Sequence, residues 1–181
     1  MFDKDMQIHG KYATYWKALT QLPGNAVDTS SNSFKVFENY IYVYMTAPII
    51  GLLHGHKGQY DPEDTSKDTA GMLAEIQIKN AAKLKYIYRL IILMDDSQGL
   101  SPEEKINWAF REDDNEASVK KGMELYTSYF FGGLEILYDE FVKSCITDDD
   151  FVRKMFDLVS EFKEEQSIDE LTVDLESLLR S

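Results

Sequence analysis

His54-Gly55-His56 places two of the chain's three histidines one residue apart, where the apolar run 47–53 gives way to the acidic loop Asp61-Pro62-Glu63-Asp64. Imidazole nitrogens and carboxylate oxygens are the donors that zinc takes, and iron bound by two histidines and one carboxylate takes the same set. His54, His56 and Asp61 are therefore the candidate metal ligands, with Glu63, Asp64 or Asp68 as further donors, and a divalent metal is the one cofactor these residues would suit. The alternative reading needs no metal. An HxH pair has no diagnostic spacing, Asp61-Pro62 is turn chemistry, and Asp68 is placed to cap the helix that follows. That reading is preferred, and no cofactor is expected.

Other signatures fail on inspection. Gly51, Gly55 and Gly58 make the loop glycine-rich, but a phosphate-binding loop needs Gly-Lys-Ser/Thr after a strand, and His56 stands where the lysine would be. These glycines are instead expected to end a helix and form a tight turn. No Gly-x-Ser-x-Gly elbow is present, and no Glu-x-x-His pair suits a bundle di-iron centre. Glu135, Asp139 and Glu140 make an acid–base pair conceivable, but Glu135 and Asp139, four residues apart, are assigned to a solvated helix side. Cys145, the only cysteine, excludes an internal disulfide and any CxxC site and is read as an inert buried thiol in a reduced, cytosolic setting. With no complete catalytic set, a non-enzymatic protein is favoured.

The elements that must position the histidine loop are helical. Phe34, Phe37, Ile41, Tyr44 and Met45 fall at helical spacing, although residues 40–45 also alternate like a strand. A helix capped by Ser33 is preferred, because the apolar run outlasts a typical strand. Pro48 should kink or end it by removing the bond to the carbonyl of Tyr44. Leu73, Ile76, Leu84, Ile87, Ile91 and Met94 predict a second helix over 68–95. It carries the cationic cluster Lys79, Lys83, Lys85 and Arg89, read as a solvated face rather than a phosphate-docking patch. Ser101-Pro102-Glu103-Glu104 is a capping box that opens a short helix to about Arg111.

Residues 116–144 hold the clearest stripe: Val119, Met123, Tyr126, Phe130, Leu134, Leu137 and Phe141. Gly132-Gly133 interrupts it. Each glycine inside a helix costs about 1 kcal/mol relative to alanine, so the pair implies close approach of a neighbouring helix. Asp148-Asp149-Asp150 should cap a further helix with Phe151, Met155, Leu158 and Phe162 inward. Ser167 opens a last amphipathic helix along Ile168, Leu171, Leu175 and Leu178. The expected architecture is an all-α, single-domain bundle of five to seven helices. Residues 1–33 are loosely structured apart from a short helix marked by Tyr12, Tyr15, Trp16 and Leu19, residues 34–164 form the core, and residues 165–181 pack on it.

The 181 residues are 44% hydrophobic and 13% aromatic, as expected of a folded globule. The net charge is −13 and lies unevenly. Residues 1–94 are balanced, with ten basic and nine acidic side chains, whereas residues 144–181 carry eleven acidic and four basic ones. An acidic surface repels phosphate backbones, which argues against stand-alone nucleic-acid binding, and it suits a basic protein partner or simple solubility. The N-terminus lacks a signal-peptide core and the longest apolar run is too short for a bilayer, so no membrane association is expected.

Two segments resemble a known group. Ile50-Gly51-Leu52-Leu53-His54-Gly55-His56-Lys57 resembles the I-G-F-x-N-G-x-R/K segment of small helical proteins associated with Dnd-type DNA phosphorothioation and restriction loci. Tyr129-Phe130-Phe131-Gly132-Gly133-Leu134-Glu135-Ile136-Leu137 is similar to their Y-A-N-G-G-L-E-I-L segment, in the same order along the chain. His54 stands in place of the asparagine, and Phe130-Phe131 in place of Ala-Asn. The resemblance implies an accessory protein of a bacterial defence system that acts through protein contacts. It brings no catalytic residues and marks the Gly51–Gly58 loop and Gly132-Gly133 as the matched positions, which should then meet in space. Two other functions stay open on the residues: a metal- or ligand-dependent enzyme using the histidine loop, and a regulatory module with a small-molecule pocket lined by Tyr40, Tyr44 and Tyr126.

Overall fold

A computed structural model describes residues 1–20, 36–60, 64, 66–145 and 147–165. The described residues form seven α-helices and one short two-stranded sheet: β1 (Met6–His9), α1 (Lys11–Thr20), α2 (Tyr40–Leu53), β2 (Thr69–Met72), α3 (Ala74–Lys79), α4 (Ala81–Met94), α5 (Pro102–Arg111), α6 (Glu116–Tyr138) and α7 (Asp148–Glu165). A single π-helical turn, Asp139–Lys143, continues α6. The all-α bundle is as expected, and no helix among these residues is long and apolar enough to cross a membrane.

α6 is the axis. Asn115 starts it by accepting hydrogen bonds from the amides of Ala117 and Ser118. Tyr126, Phe130, Leu134 and Leu137 are then buried, as their spacing predicts. Residues 129–134 are buried on every side, because α1, α2 and α4 all lie against α6. α2 is correspondingly apolar around most of its circumference, with Ile41, Val43, Tyr44, Ala47, Pro48, Ile50 and Gly51 buried.

Pro48 does not end α2, which runs on to Leu53. The carbonyl of Tyr44, which Pro48 cannot bond, instead accepts the buried hydroxyl of Tyr126 at 2.7 Å. The orphaned acceptor is satisfied from α6, so the helix continues without an unpaired buried group. Asn39 occupies the N-cap position of α2, and the expected cap Ser33 lies outside the described residues.

Two other expectations need correction. Residues 1–20 are not loose. β1 and α1 belong to the core, with Ile8, Tyr12, Ala13, Trp16 and Leu19 buried and the Trp16 indole donating to the carbonyl of Tyr40. The helix expected over 68–95 is instead a strand, a short helix and a longer one. β2 pairs antiparallel with β1, Met6 opposite Met72 and His9 opposite Thr69, and alternates exposed and buried residues. α3 and α4 meet at Asn80, whose side-chain amide donates to the carbonyl of Ile76. Beyond that break Leu84, Ile87 and Ile91 of α4 are buried, whereas Leu73 and Ile76 before it are exposed; Met94, at the last position of α4, is exposed as well.

The start of α5 matches its capping box: Ser101 and Glu104 bond each other's backbone amides. α7 is capped by Thr147 and Asp150 in the same reciprocal way, rather than by the three aspartates alone. Phe151, Met155 and Leu158 face the core. The final helix expected over 165–181 lies outside the described residues apart from Glu165, which ends α7.

Candidate functional site

The histidine loop is held on α6 by backbone contact. Gly51 lies so close to α6 that a Cβ there would overlap the carbonyl oxygen of Tyr129. A Cβ on Gly133 would overlap the carbonyl oxygen of Ala47, and one on Gly132 that of His56. The two glycine motifs therefore meet, and side chains are excluded because backbone packs on backbone. Gly55 adopts φ +59°, which an L-residue tolerates poorly, and turns the chain back onto α6. The Gly58 amide then donates to the carbonyl of Ser128 at 2.8 Å, and Tyr12 stacks on Phe131 with ring centroids 4.1 Å apart.

The turn delivers consecutive side chains to two acidic residues. His56 Nε2 lies 2.7 Å from Glu135 Oε2. The other oxygen of Glu135 accepts from Lys11 Nζ at 2.8 Å and lies 2.9 Å from the Tyr12 hydroxyl, which is also 3.0 Å from the carbonyl of Gln59. Burial alone would raise the Glu135 carboxyl; the hydrogen bonds from Lys11, His56 and Tyr12 outweigh it and hold the group below the usual range. Burial, and then the Glu135 charge, push the Tyr12 phenol up to about 12. Glu135 keeps 25% of its side-chain surface exposed and His56 46%.

Lys57, the next residue, points to Asp95. Its Nζ lies 2.8 Å from Asp95 Oδ1 and 2.6 Å from the Ser97 hydroxyl. Asp95 also accepts from the Tyr129 hydroxyl at 2.6 Å and from Ser97, and its side chain is only 1% exposed. Burial works to raise this carboxyl, yet the Lys57, Tyr129 and Ser97 hydrogen bonds together hold it below the ordinary range. Burial, and then the same carboxylate, push the Tyr129 phenol upward.

Of the expected ligand set, only the two histidines fall among the described residues. His56 goes to Glu135, whereas His54 lines a cleft of about 160 Å³ floored by Ile50, Ile136, Leu137, Phe141 and Leu158. Asp61 and Glu63 lie outside the described residues. Asp64 accepts from the amides of Lys11 and Ser66, and Asp68 bonds Thr14 and Lys17 of α1 instead of capping α3. No group of three or more histidine, cysteine, aspartate or glutamate side chains among the described residues is arranged to hold a metal. The Lys11 ammonium on Glu135 would further oppose a cation there.

Most of the remaining candidates are also spent on structure. Tyr44 and Tyr126 are buried edge-on against Phe2, at 6.3 Å and 5.5 Å between ring centroids, and Tyr44 also lines, with Phe2 and Met123, an open cavity of about 430 Å³. Lys85 and Arg89 both reach Asp113, and Lys79 pairs with Glu75. Cys145 is buried, and burial raises its thiol above the ordinary value. Glu135 is the residue the sequence placed wrongly, on a solvated side. Its position four residues after Phe131 and three after Gly132, on the face that the loop covers, was the available signal. No known family model, curated protein or solved structure matches the chain.

Proposed function

We propose that this protein is a non-enzymatic helical interaction protein, an accessory subunit whose work is done by a surface rather than by a reactive centre. One observation carries this reading: α7 packs Phe151, Met155 and Leu158 on the core and still presents Val152, Phe156 and Val159 to solvent. Contiguous exposed apolar side chains on an otherwise satisfied helix mark interaction sites. The histidine loop supports it from the other side, since His56, Lys57, Asp64 and Asp68 are engaged within the chain. On the two segments that resemble proteins of Dnd-type loci, the setting would be a bacterial DNA-modification or restriction system in the cytoplasm. The chain would meet a basic protein component there and would not bind DNA alone. A tagged pull-down from the native host tests this: stoichiometric recovery of modification or restriction proteins is expected, and recovery of the chain alone overturns it.

A second reading has one observation behind it. An imidazole held by a carboxylate and 46% exposed is the arrangement of an oriented base, which would suit a ligand-dependent enzyme. A metal or small molecule that co-purifies with wild type and is lost in His56→Ala, with no protein partner recovered, would favour it.

A further inference from the structure

A buried hydroxyl without a partner is costly, because it gives up water and gains nothing in return. Tyr44 carries one. Its side chain is 2% exposed. Its backbone carbonyl takes the Tyr126 hydroxyl, but its own hydroxyl bonds no described group. Burial alone pushes this phenol up, with no neighbouring charge or hydrogen bond contributing. Gln77, 3% exposed, is only half satisfied. Its Nε2 donates to the carbonyl of Lys4 at 2.6 Å, whereas its Oε1 accepts from no described group.

Both side chains line one cavity of about 430 Å³, set between residues 1–7, α2, α3 and α6. The half-buried Thr127 of α6 brings a third polar group to it, again without a described partner. Polar groups from three helices thus converge in a space otherwise walled by Phe2, Met6 and Met123. A concave, largely apolar wall with a few placed polar groups is the make-up of a ligand pocket. Phe2 adds a sign of its own. It holds φ +56°, which a residue with a side chain seldom adopts, and its ring is fixed edge-on to Tyr44, Tyr88 and Tyr126. Strain of this kind persists where surroundings over-determine it, and it clusters at ligand clamps.

The lining narrows the occupant. Asp3, Lys4 and Asp5 border the cavity but are exposed, and Asp5 is engaged by the amide of Ala74. The enclosed polar groups are all uncharged, so an ion among them would lose its hydration without a counter-charge. Rings and thioethers favour an aromatic body. We propose that this cavity binds a small neutral aromatic molecule with a hydroxyl or amide edge. The Tyr44 hydroxyl and the Gln77 carbonyl would bond that edge, while Phe2, Met6 and Met123 enclose the ring. The site is independent of the partner-binding reading and stands or falls without it.

The test is a titration of the full chain, carrying methyl-labelled methionine, with two probes of one outline: β-naphthol and β-methylnaphthalene, which lacks the hydroxyl. Saturable shifts of the Met6 and Met123 methyl signals are expected with β-naphthol, and about tenfold weaker binding of β-methylnaphthalene. Tyr44→Phe should bring β-naphthol down to the level of the hydrocarbon and should melt no lower than wild type, since it removes an unpaired group. Tyr88→Phe, at a buried tyrosine that does not line the cavity, should leave both probes unchanged. Equal binding of the two probes to wild type overturns the proposal, and so does the absence of a saturable shift at the solubility limit of β-naphthol. Shifts confined to other methionines overturn it as well. A lower melting temperature for Tyr44→Phe would mean that the hydroxyl is already satisfied, by water or otherwise, and overturns it too.

Discussion

α6 and α7 are the last two helices described, and they are stabilised in opposite ways. α6 is enclosed so fully that residues 129–134 have no outward face, and two of its positions must be glycine for α2 and the histidine loop to approach. On α7, no side chain from 149 to 160 is fully buried. Packing that leaves no room for a methyl group makes α6 the element on which stability depends. Packing that leaves an apolar stripe uncovered makes α7 an element that can change what it touches without changing the fold. The same contrast appears in the loop, where Lys57 reaches a carboxylate that is almost wholly buried and His56 one that solvent still touches.

The sharpest way to break the comparison is to add one carbon to α6. Gly133→Ala gains helix propensity worth about 1 kcal/mol, but its Cβ would meet backbone of α2, which has no rotamer by which to escape. The helices must separate, and a net loss of about 3 kcal/mol is expected, seen as a melting temperature roughly 6–12 °C lower. Unchanged melting would show that α2 and α6 do not approach as closely as described. Gly55→Ala, at a positive φ with open space around it, should cost only about 1 kcal/mol in urea denaturation.

The two carboxylates come next, and they differ by accessibility. Asp95→Asn takes away a buried carboxylate that Lys57, Tyr129 and Ser97 all bond and should cost about 2–3 kcal/mol at neutral pH. Glu135→Gln, where water can replace part of the loss, should cost about 1 kcal/mol. Both carboxyls titrate below their ordinary values in the fold. Their contribution is therefore complete above the unfolded-state carboxylate range and is lost as pH falls through it toward the depressed folded values. Wild type should lose stability between about pH 5 and about pH 3, and the Asp95→Asn curve should be flatter over that interval. Parallel curves would mean that Asp95 is not ionised in the fold.

What the sequence made legible follows from locality. The stripe of α6, the capping box of α5 and the close approach at Gly132-Gly133 all depend on residues within a few positions of one another, and all are present. The β1–β2 pair was hidden because Met6 meets Met72, a pairing that no local period announces. Asn80 fits a continuous stripe as well as a break, so only packing decides between them. Glu135 was misassigned because apolar periodicity treats any carboxylate as outward. Its partial burial makes sense only once Lys11, Tyr12 and His56, brought from far along the chain, supply three donors. His54-Gly-His56 drew attention for a metal, yet the loop's structural business lies in Gly55, in His56 alone and in Lys57.

The smallest expected effect is the most telling about α7. Met155 and Phe156 are neighbours in sequence, but Met155 packs on the core while Phe156 does not. Met155→Ala should therefore lower stability by about 1 kcal/mol, a partial version of the loss at a fully buried site. Phe156→Ala removes a larger side chain and should still leave stability within about 0.5 kcal/mol of wild type, since an exposed ring has little apolar contact to lose. Chemical denaturation of the two variants side by side measures the difference directly. The larger truncation having the smaller effect would place Phe156 on a face free to serve something outside the fold. A loss at Phe156 equal to or greater than that at Met155 would mean that this face is already covered within the chain, and α7 would then join α6 as part of the core.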